Sequence, residues 1–572
     1  MFETKGLTGG ETLLRVLAGM GIDRIFSSPG SEWSPVWEAL AKPTAQNEGV
    51  PLYLSSRHEE IAVGMASGYA KASGKLPAVM IHTTVGALHA TMGMRGALHE
   101  QIPMVVLAGE SIAFGEAEGP DPGGQWLRNL ANIGGPARLV EHCAKWSMGV
   151  NNTATLPATI QRACQIAMAS PRGPVFVSLP MEFLFDQMST SAPASSALPI
   201  RPSADRKGLK ELADLLTQAK NPIVVTEEAG RTIGASELLV EMAELLGIPV
   251  IETRSSSFAN FPRNHHLHGG FDPSIYLAEA DLVFLLGAVA PWHPASAGPG
   301  AKTKIVVLDE NPIRTELPYW GYRMDLGLIG EIHASLEILL EYLRKQVSSG
   351  DPSLQERAAR WRAQYESRKE TWKKDALAHK DQKPVDTQWA VYQLNQALPS
   401  DAMLVEETIT HRLPIMRHFD RIGLGSFFTG SIGGLGTGLG TALGVKCAAP
   451  NRPVVALMGD GSFNYNPGLA AFGFMQEYGT PILIVLFNNH GYLSMKSGLP
   501  KYYPKGWAVQ TKNFVGTSIA PSPDYAAIAR AFESYGETVE EPAQVRPAFE
   551  RGLKAIAGGQ GALIDIRLEP VN

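Results

Sequence analysis

Three times along the chain, short apolar runs of strand length alternate with helical segments, and each time the pattern breaks and restarts. Strands that alternate with helices fold into parallel sheets covered on both faces. Such sheets bind ligands at the carboxyl ends of their strands. In the first block the apolar runs are 23–26, 78–81, 104–108 and 175–178. The helical stretch 59–72 between them carries Gly64 and Gly68, which allow close packing. The second block has runs at 222–226, 249–251, 282–286 and 304–308, and the third at 403–405, 453–458, 481–487 and 562–566. The expectation is three α/β domains with mostly parallel sheets, over residues 1–185, 207–345 and 387–572. A Ser/Ala/Pro-rich linker, 186–206, and a charged helical linker, 346–386, read as a solvated connecting helix, separate them. At about 150 residues per domain, 572 residues agree with three to four domains.

Charge and cysteine content exclude several classes of function. Lys plus Arg total 50 and Asp plus Glu 56, for a net charge of −6, so neither nucleic acid nor a membrane surface is expected as a partner. Cys143, Cys164 and Cys447 match no disulfide framework and no zinc spacing, and read as reduced thiols of a cytoplasmic protein. The first five residues lack the charged and apolar regions of a signal peptide. No apolar run approaches the ~20 residues of a membrane helix.

The strongest local signal is Gly459-Asp460-Gly461-Ser462, directly after the apolar run 454–458. The next strand ends in Asn488-Asn489-His490-Gly491. Alone, Gly-Asp-Gly is a turn. Two polar clusters at the ends of successive strands instead suit a diphosphate chelated to Mg²⁺. Magnesium takes six oxygens in a tight octahedron with few protein ligands, and glycines let backbone N–H groups approach phosphate.

This arrangement resembles the signature of thiamine-diphosphate enzymes. The resemblance implies thiamine diphosphate and Mg²⁺ as cofactors, with Asp460, Asn489 and the carbonyl of Gly491 as metal ligands and Gly459, Gly461 and Ser462 beside the diphosphate. It implies a carboxylate on the pyrimidine ring, and Arg57-His58-Glu59-Glu60 offers Glu59, with Glu60 expected to face solvent. The segment 434–444 resembles the family's wedge segment, with Leu435 at the wedge position, and Thr408 stands where relatives contact the cofactor.

Further stretches resemble benzoylformate decarboxylases. Ser28-Pro29-Gly30-Ser31-Glu32 implies that Ser31 binds a substrate carboxylate, Ile81-His82-Thr83 implies a cofactor-facing His82, and 287–293 implies a second active-site histidine, His293. Near-neutral histidines suit proton transfer. Trp292 and Tyr492, with Leu493 and Met495, are read as lining an acceptor pocket or as core. His265, His266 and His268, with no acidic partner nearby in sequence, are read as structural or surface residues.

Two departures narrow the subfamily. Leu98-His99-Glu100 replaces the His-His pair of pyruvate decarboxylases, and His89 stands where acetolactate synthases usually carry Asn. The implied function is a C–C lyase or carboligase acting on a 2-keto acid or 2-hydroxyketone, by ylide addition and an enamine. The alternatives are a 2-hydroxyacyl-CoA lyase, with the lysine-bearing segment 496–512 as a lid, and a catalytically silent protein on the same fold. In relatives Glu59 and Asp460 meet across a subunit interface, which implies a homodimer or homotetramer.

Overall fold

A computed structural model describes residues 4–42, 49–112, 120–124, 132–189, 196–348, 350–421, 423–430 and 434–571. Residues 190–195 of the expected linker lie outside this set. The first sheet runs in the order β2-β1-β3-β4-β6-β5. Its strands are β1 (Arg24–Ser28), β2 (Leu52–Ser55), β3 (Ala78–Ile81), β4 (Met104–Glu110), β5 (Trp146–Gly149) and β6 (Pro174–Pro180). The second, β11-β10-β9-β7-β8, holds β7 (Pro222–Thr226), β8 (Val250–Glu252), β9 (Leu282–Leu286), β10 (Lys304–Asp309) and β11 (Leu326–Ile329). The third runs β13-β12-β14-β15-β17-β16. It comprises β12 (Met403–Glu407), β13 (Phe427–Thr429), β14 (Val454–Gly459), β15 (Leu483–Asn488), β16 (Tyr535–Val539) and β17 (Ala562–Arg567).

All neighbouring strands in the three sheets pair in parallel. The fold is therefore α/β throughout. Each sheet starts in its middle, steps one way and then reverses. The switch points lie between β1 and β3, β7 and β9, and β12 and β14. At such a point the two flanking loops diverge and leave a crevice for ligand.

By packing, the chain forms two compact units. One comprises residues 1–200, 430–451 and 464–481, and the other 201–429, 452–463 and 482–572. In the first unit the helix Glu59–Ser73 lies against the glycine-rich helix Gly438–Ala448 at backbone distance. A Cβ on Gly64 would stand 3.0 Å from the Gly440 Cα. On Gly68 it would overlap the Thr441 carbonyl, and on Gly444 the Met65 carbonyl. The spacing of Gly64 and Gly68 therefore does what the sequence suggested.

Past the strand ends of the second sheet the chain's own charged side chains pair with one another. Arg231 lies 2.7 Å from Glu228, and Arg314 lies 2.6 Å from Asp309, all four side chains buried. Glu227 Oε2 accepts the N–H groups of Val289 at 2.5 Å and Ala290 at 3.2 Å. Burial pushes the Glu228 carboxyl up to about 7, against the pull of both arginines.

Three expectations need correction. The charged stretch contains a helix, Pro352–Ala378, that is not simply solvated. Trp361 and Ala376 are buried, Arg357 donates to the carbonyls of Leu246 and Ala219, and Arg368 donates to that of His268. The histidine loop does have acidic partners, supplied by distant elements. His268, buried, lies 3.1 Å from Glu252, and His265 lies 3.1 Å from Glu244. Glu60 does not face solvent. It is 7 % exposed and packs near Gly93 of the helix Thr83–His99. Among the described residues no helix is long and apolar enough to cross a membrane.

Gly68→Ala and Gly444→Ala each set a methyl group on a backbone carbonyl that cannot rotate away. Each should lower stability by about 1–3 kcal/mol in urea unfolding. Gly498→Ala is the control. It lies in the exposed helix Leu493–Tyr502, has no neighbour nearer than 4.0 Å and should be neutral or slightly stabilising.

Candidate active site

The first unit gathers its titratable groups at the β1/β3 switch point. Ser31 and Glu32 follow β1 directly, and His82 follows β3. His82 Nδ1 stands 2.8 Å from Glu32 Oε2. The bond to Glu32 raises the imidazole pKa above its ordinary value against burial, and the charge of Glu59 adds to the rise. Ser31 is exposed on a short turn, where its carbonyl accepts the Ser34 hydroxyl.

Glu59 is half-buried and opens its helix, where the helix dipole favours a carboxylate. A Cβ on Gly86 would stand 3.4 Å from its Oε1, so the helix Thr83–His99 packs against this carboxylate. The preceding residue, His58, caps the helix by accepting the Glu60 N–H at 3.1 Å. Its ring meets that of His89 edge-on at 5.2 Å. Potential ligand atoms of His58, Glu59 and His89 lie within 4.8 Å of one another. Burial lowers the His58 pKa, and the His89 ring lowers it further. Glu100 takes no part, being held in a buried ion pair with Lys71 at 2.6 Å. Leu435, half-buried, precedes Gly436, whose φ of 116° suits glycine.

The second unit gathers its polar groups at the β12/β14 switch point and the neighbouring end of β15. Asp460 begins a helix immediately after β14 and is 2 % exposed. Burial pushes its carboxyl up to about 6, although the backbone N–H groups of Gly461 and Gly491 bond to it. Among the described residues its Oδ2 is buried with no hydrogen-bond partner. A buried carboxylate oxygen left in this state is costly, and a divalent cation would satisfy it. The oxygen donors present, Asp460, Asn489 and a backbone carbonyl, fit Mg²⁺.

The two asparagines differ in their commitments. Asn488 Nδ2 donates to Asp565 at 3.0 Å and to Ser522 at 3.3 Å, and its Oδ1 accepts the His490 N–H. Asn489 Oδ1 accepts only the Gly491 N–H among its described bonds, at 3.2 Å. Between them and Gly491, His490 takes φ 58°, a left-handed conformation stored where the loop turns. Ser462 is buried, with its Oγ 3.6 Å from where a Gly459 Cβ would stand. The Tyr492 ring lies over Gly461, 2.8 Å from where a Cβ would stand. Tyr492 therefore borders the Asp460 loop. Thr408, at the end of β12, donates through its backbone N–H to Glu406 Oε1 at 2.6 Å, and its hydroxyl donates to the same oxygen. Glu406 is in turn held by Arg412 at 3.1 Å.

His293 is exposed. Trp292 stands beside it. It is 6 % exposed in the core of the second sheet, its indole N–H donates to the Ala295 carbonyl and its ring meets Tyr322. Met495, 55 % exposed, lies on the helix Leu493–Tyr502, none of whose residues is buried.

Comparisons with known proteins give the family. The family model described as the N-terminal TPP binding domain of thiamine pyrophosphate enzymes matches residues 7–120. The model of the central domain matches 209–339, and that of the C-terminal TPP binding domain matches 410–566. Together they span more than half of the chain. The chain belongs to the thiamine pyrophosphate enzyme family. It is 27% identical to the benzoylformate decarboxylase of Pseudomonas aeruginosa, over 97% of this chain and 98% of that protein. It is 25% identical to the acetolactate synthase isozyme 3 large subunit of Escherichia coli, over 98% of this chain and 95% of that protein. A solved 4-hydroxybenzoylformate decarboxylase of Rhodococcus jostii shares the fold with a TM-score of 0.80 at 23% identity, over 98% of this chain and 99% of that one.

Sequence reasoning gave no role to Glu32, His58, His89 or Asp565. Glu32 was detectable as an acid directly past one strand end, with His82 past a neighbouring one. Asp565 lies inside an apolar strand, where a lone acid signals a buried partner.

Gly461→Ala should weaken retention of thiamine diphosphate by roughly tenfold, the scale of an overpacked contact against the Tyr492 ring. The double variant Gly461→Ala/Tyr492→Ala should recover part of it. Titration calorimetry with the cofactor and Mg²⁺ reads both.

Proposed function

We propose that this family member is a thiamine-diphosphate- and Mg²⁺-dependent C–C lyase or carboligase acting on a 2-keto acid or 2-hydroxyketone. The observation that carries the reading is the buried, unpartnered Oδ2 of Asp460 at the carboxyl edge of a parallel sheet, beside Asn489 and Gly491. Bound thiamine diphosphate would supply a carbon nucleophile that adds to a carbonyl and accepts the electron pair left by a departing carboxyl or aldehyde group.

The chain's own residues prepare and control that chemistry. Asp460, Asn489 and the Gly491 carbonyl hold Mg²⁺, and the commitment of Asn488 to Asp565 supports Asn489 as the ligand. Gly459, Gly461 and Ser462 bring backbone and hydroxyl donors to the diphosphate. Thr408, braced by Glu406, contacts the cofactor, and Leu435 serves as the wedge beneath it. Glu59 bonds the pyrimidine ring through its carboxyl group. Ser31 receives the substrate carboxylate, His82 and His293 move protons at the substrate, and Tyr492 borders the acceptor. Trp292 is assigned to the core. The protein works in the cytoplasm as a homodimer or homotetramer, without nucleic acid or membrane.

A second reading, a 2-hydroxyacyl-CoA lyase, is favoured by one surface. The helices Leu493–Tyr502 and Trp507–Thr511 bury no residue, and Tyr502, Tyr503 and Trp507 are exposed among Lys496, Lys501, Lys505 and Lys512. Exposed rings and ammonium groups suit an adenine and its phosphates. Inhibition of turnover by free CoA would favour this reading, and indifference to CoA the first.

The deciding experiment offers benzoylformate, pyruvate, aromatic aldehydes with formaldehyde, and 2-hydroxyacyl-CoA esters to the protein with cofactor and Mg²⁺, with products read by mass spectrometry. CO₂ release from a keto acid is the expected result. Glu59→Gln should fold normally and lose turnover by at least about 10²-fold, the scale of a removed acid–base group. Asp460→Ala should lose Mg²⁺-dependent retention of the cofactor, read by calorimetry.

A further inference from the structure

A second carboxylate acts on His82 together with Glu59, and the proposed chemistry leaves it without a role. Glu32 is 3 % exposed on the turn that follows β1. One of its oxygens meets His82 Nδ1 at 2.8 Å, and the other, Oε1, is buried with no hydrogen-bond partner among the described residues. The surrounding backbone is shaped to the pair. A Cβ on Gly30 would overlap both His82 Nδ1 and the Glu32 carboxylate, and a Cβ on Gly109 would overlap Glu32 Cγ. Two glycines from separate segments are thus required for one carboxylate to reach one imidazole.

We propose that Glu32 is a positioning residue, which fixes the proton of His82 on Nδ1 and holds the ring as an imidazolium, so that Nε2–H is offered as a hydrogen-bond donor to an anionic substrate group. A carboxylate facing Nδ1 admits only a donor at that nitrogen. Nε2 is therefore the nitrogen left for a ligand. Among the described residues Glu32 Oε1 has no hydrogen-bond partner, and burial strengthens the carboxylate's hold on the ring. The charged groups facing His82 are Glu32, from the turn after β1, and Glu59, from the start of its helix. Both favour the cation, against burial. Tyr53, on β2, donates its hydroxyl to Ser27 Oγ at 2.9 Å, and burial, together with the Glu32 charge, raises its pKa. An imidazolium in this place selects anions, such as the carboxylate of a 2-keto acid, over neutral carbonyl compounds. That substrate assignment rests on the proposed function, while the state of His82 does not.

The linkage has a definite sign. The folded-state pKa of His82 lies above its ordinary value. The stabilisation from the pair is complete below the ordinary histidine pKa of about 6.5 and is lost as pH rises through the raised value.

The test is a histidine ¹³Cε1 NMR titration of the holoprotein with thiamine diphosphate and Mg²⁺, the His82 signal being assigned by its loss in His82→Gln. In the parent protein the His82 midpoint should lie above the ordinary histidine value. In Glu32→Gln, which keeps the side chain's size, it should fall by at least about one pH unit. The basic limb of kcat/KM for a keto acid should move down in pH by the same amount. A midpoint unmoved by Glu32→Gln would overturn the proposal. Should that variant fail to fold, Gly109→Ala, which keeps the carboxylate but displaces it, must lower the midpoint, and an unmoved midpoint there overturns it equally. The NMR result stands whether or not any keto acid is turned over, so failure of the functional reading and failure of this assignment are told apart.

Discussion

Backbone contact between two helices sets the geometry on which the first unit's site depends. The helix Glu59–Ser73 and the helix Gly438–Ala448 approach so closely that Gly64, Gly68, Gly440 and Gly444 leave no room for a methyl group. A helix seated on another's backbone cannot slide or rotate as one seated on long side chains can. Dense packing transmits that rigidity. The first residue of the helix Glu59–Ser73 is Glu59, so the position of the carboxylate is set by contacts about one and a half to two and a half turns away. The same seating turns Glu60 inward against the next helix, beside Gly93.

The two outer sheets repeat one solution with different residues. In each the order reverses beside the first strand, and the loops past the two central strand ends carry polar groups: Ser31, Glu32 and His82 in one, Thr408 and Asp460 in the other. In each, a carboxylate is buried with an oxygen lacking a hydrogen-bond partner, Glu32 Oε1 and Asp460 Oδ2. Buried acids of this kind are expensive to keep and mark places where a charged partner belongs.

Much of this was legible in the sequence because it was local. Strand runs, the polar clusters directly after them and the i, i+4 glycines of the Glu59 helix are readable within a few residues. What stayed hidden needed contacts distant in sequence. Glu32 and His82 are 50 residues apart, and their meeting follows only from β1 lying next to β3. His268 finds Glu252 through a loop path that spacing does not reveal. Trp361 becomes buried because one face of a charged helix lies on the second sheet's core, and its mixed charges conceal that face. The tie between Asn488 and Asp565 joins adjacent strands β15 and β17 that the chain reaches 77 residues apart.

The middle sheet took a different course with the same topology. Its switch point holds Glu227, Glu228, Arg231, Asp309 and Arg314, packed on one another. Burial pushes the Glu228 carboxyl up to about 7 against the pull of Arg231 and Arg314, so its charge costs more here than in the unfolded chain. Between the ordinary carboxyl pKa and about 7, raising the pH draws protons from the unfolded chain first and erodes the domain's stability. Where the first and third sheets place Glu32 and Asp460, this one places charged side chains that pair with one another.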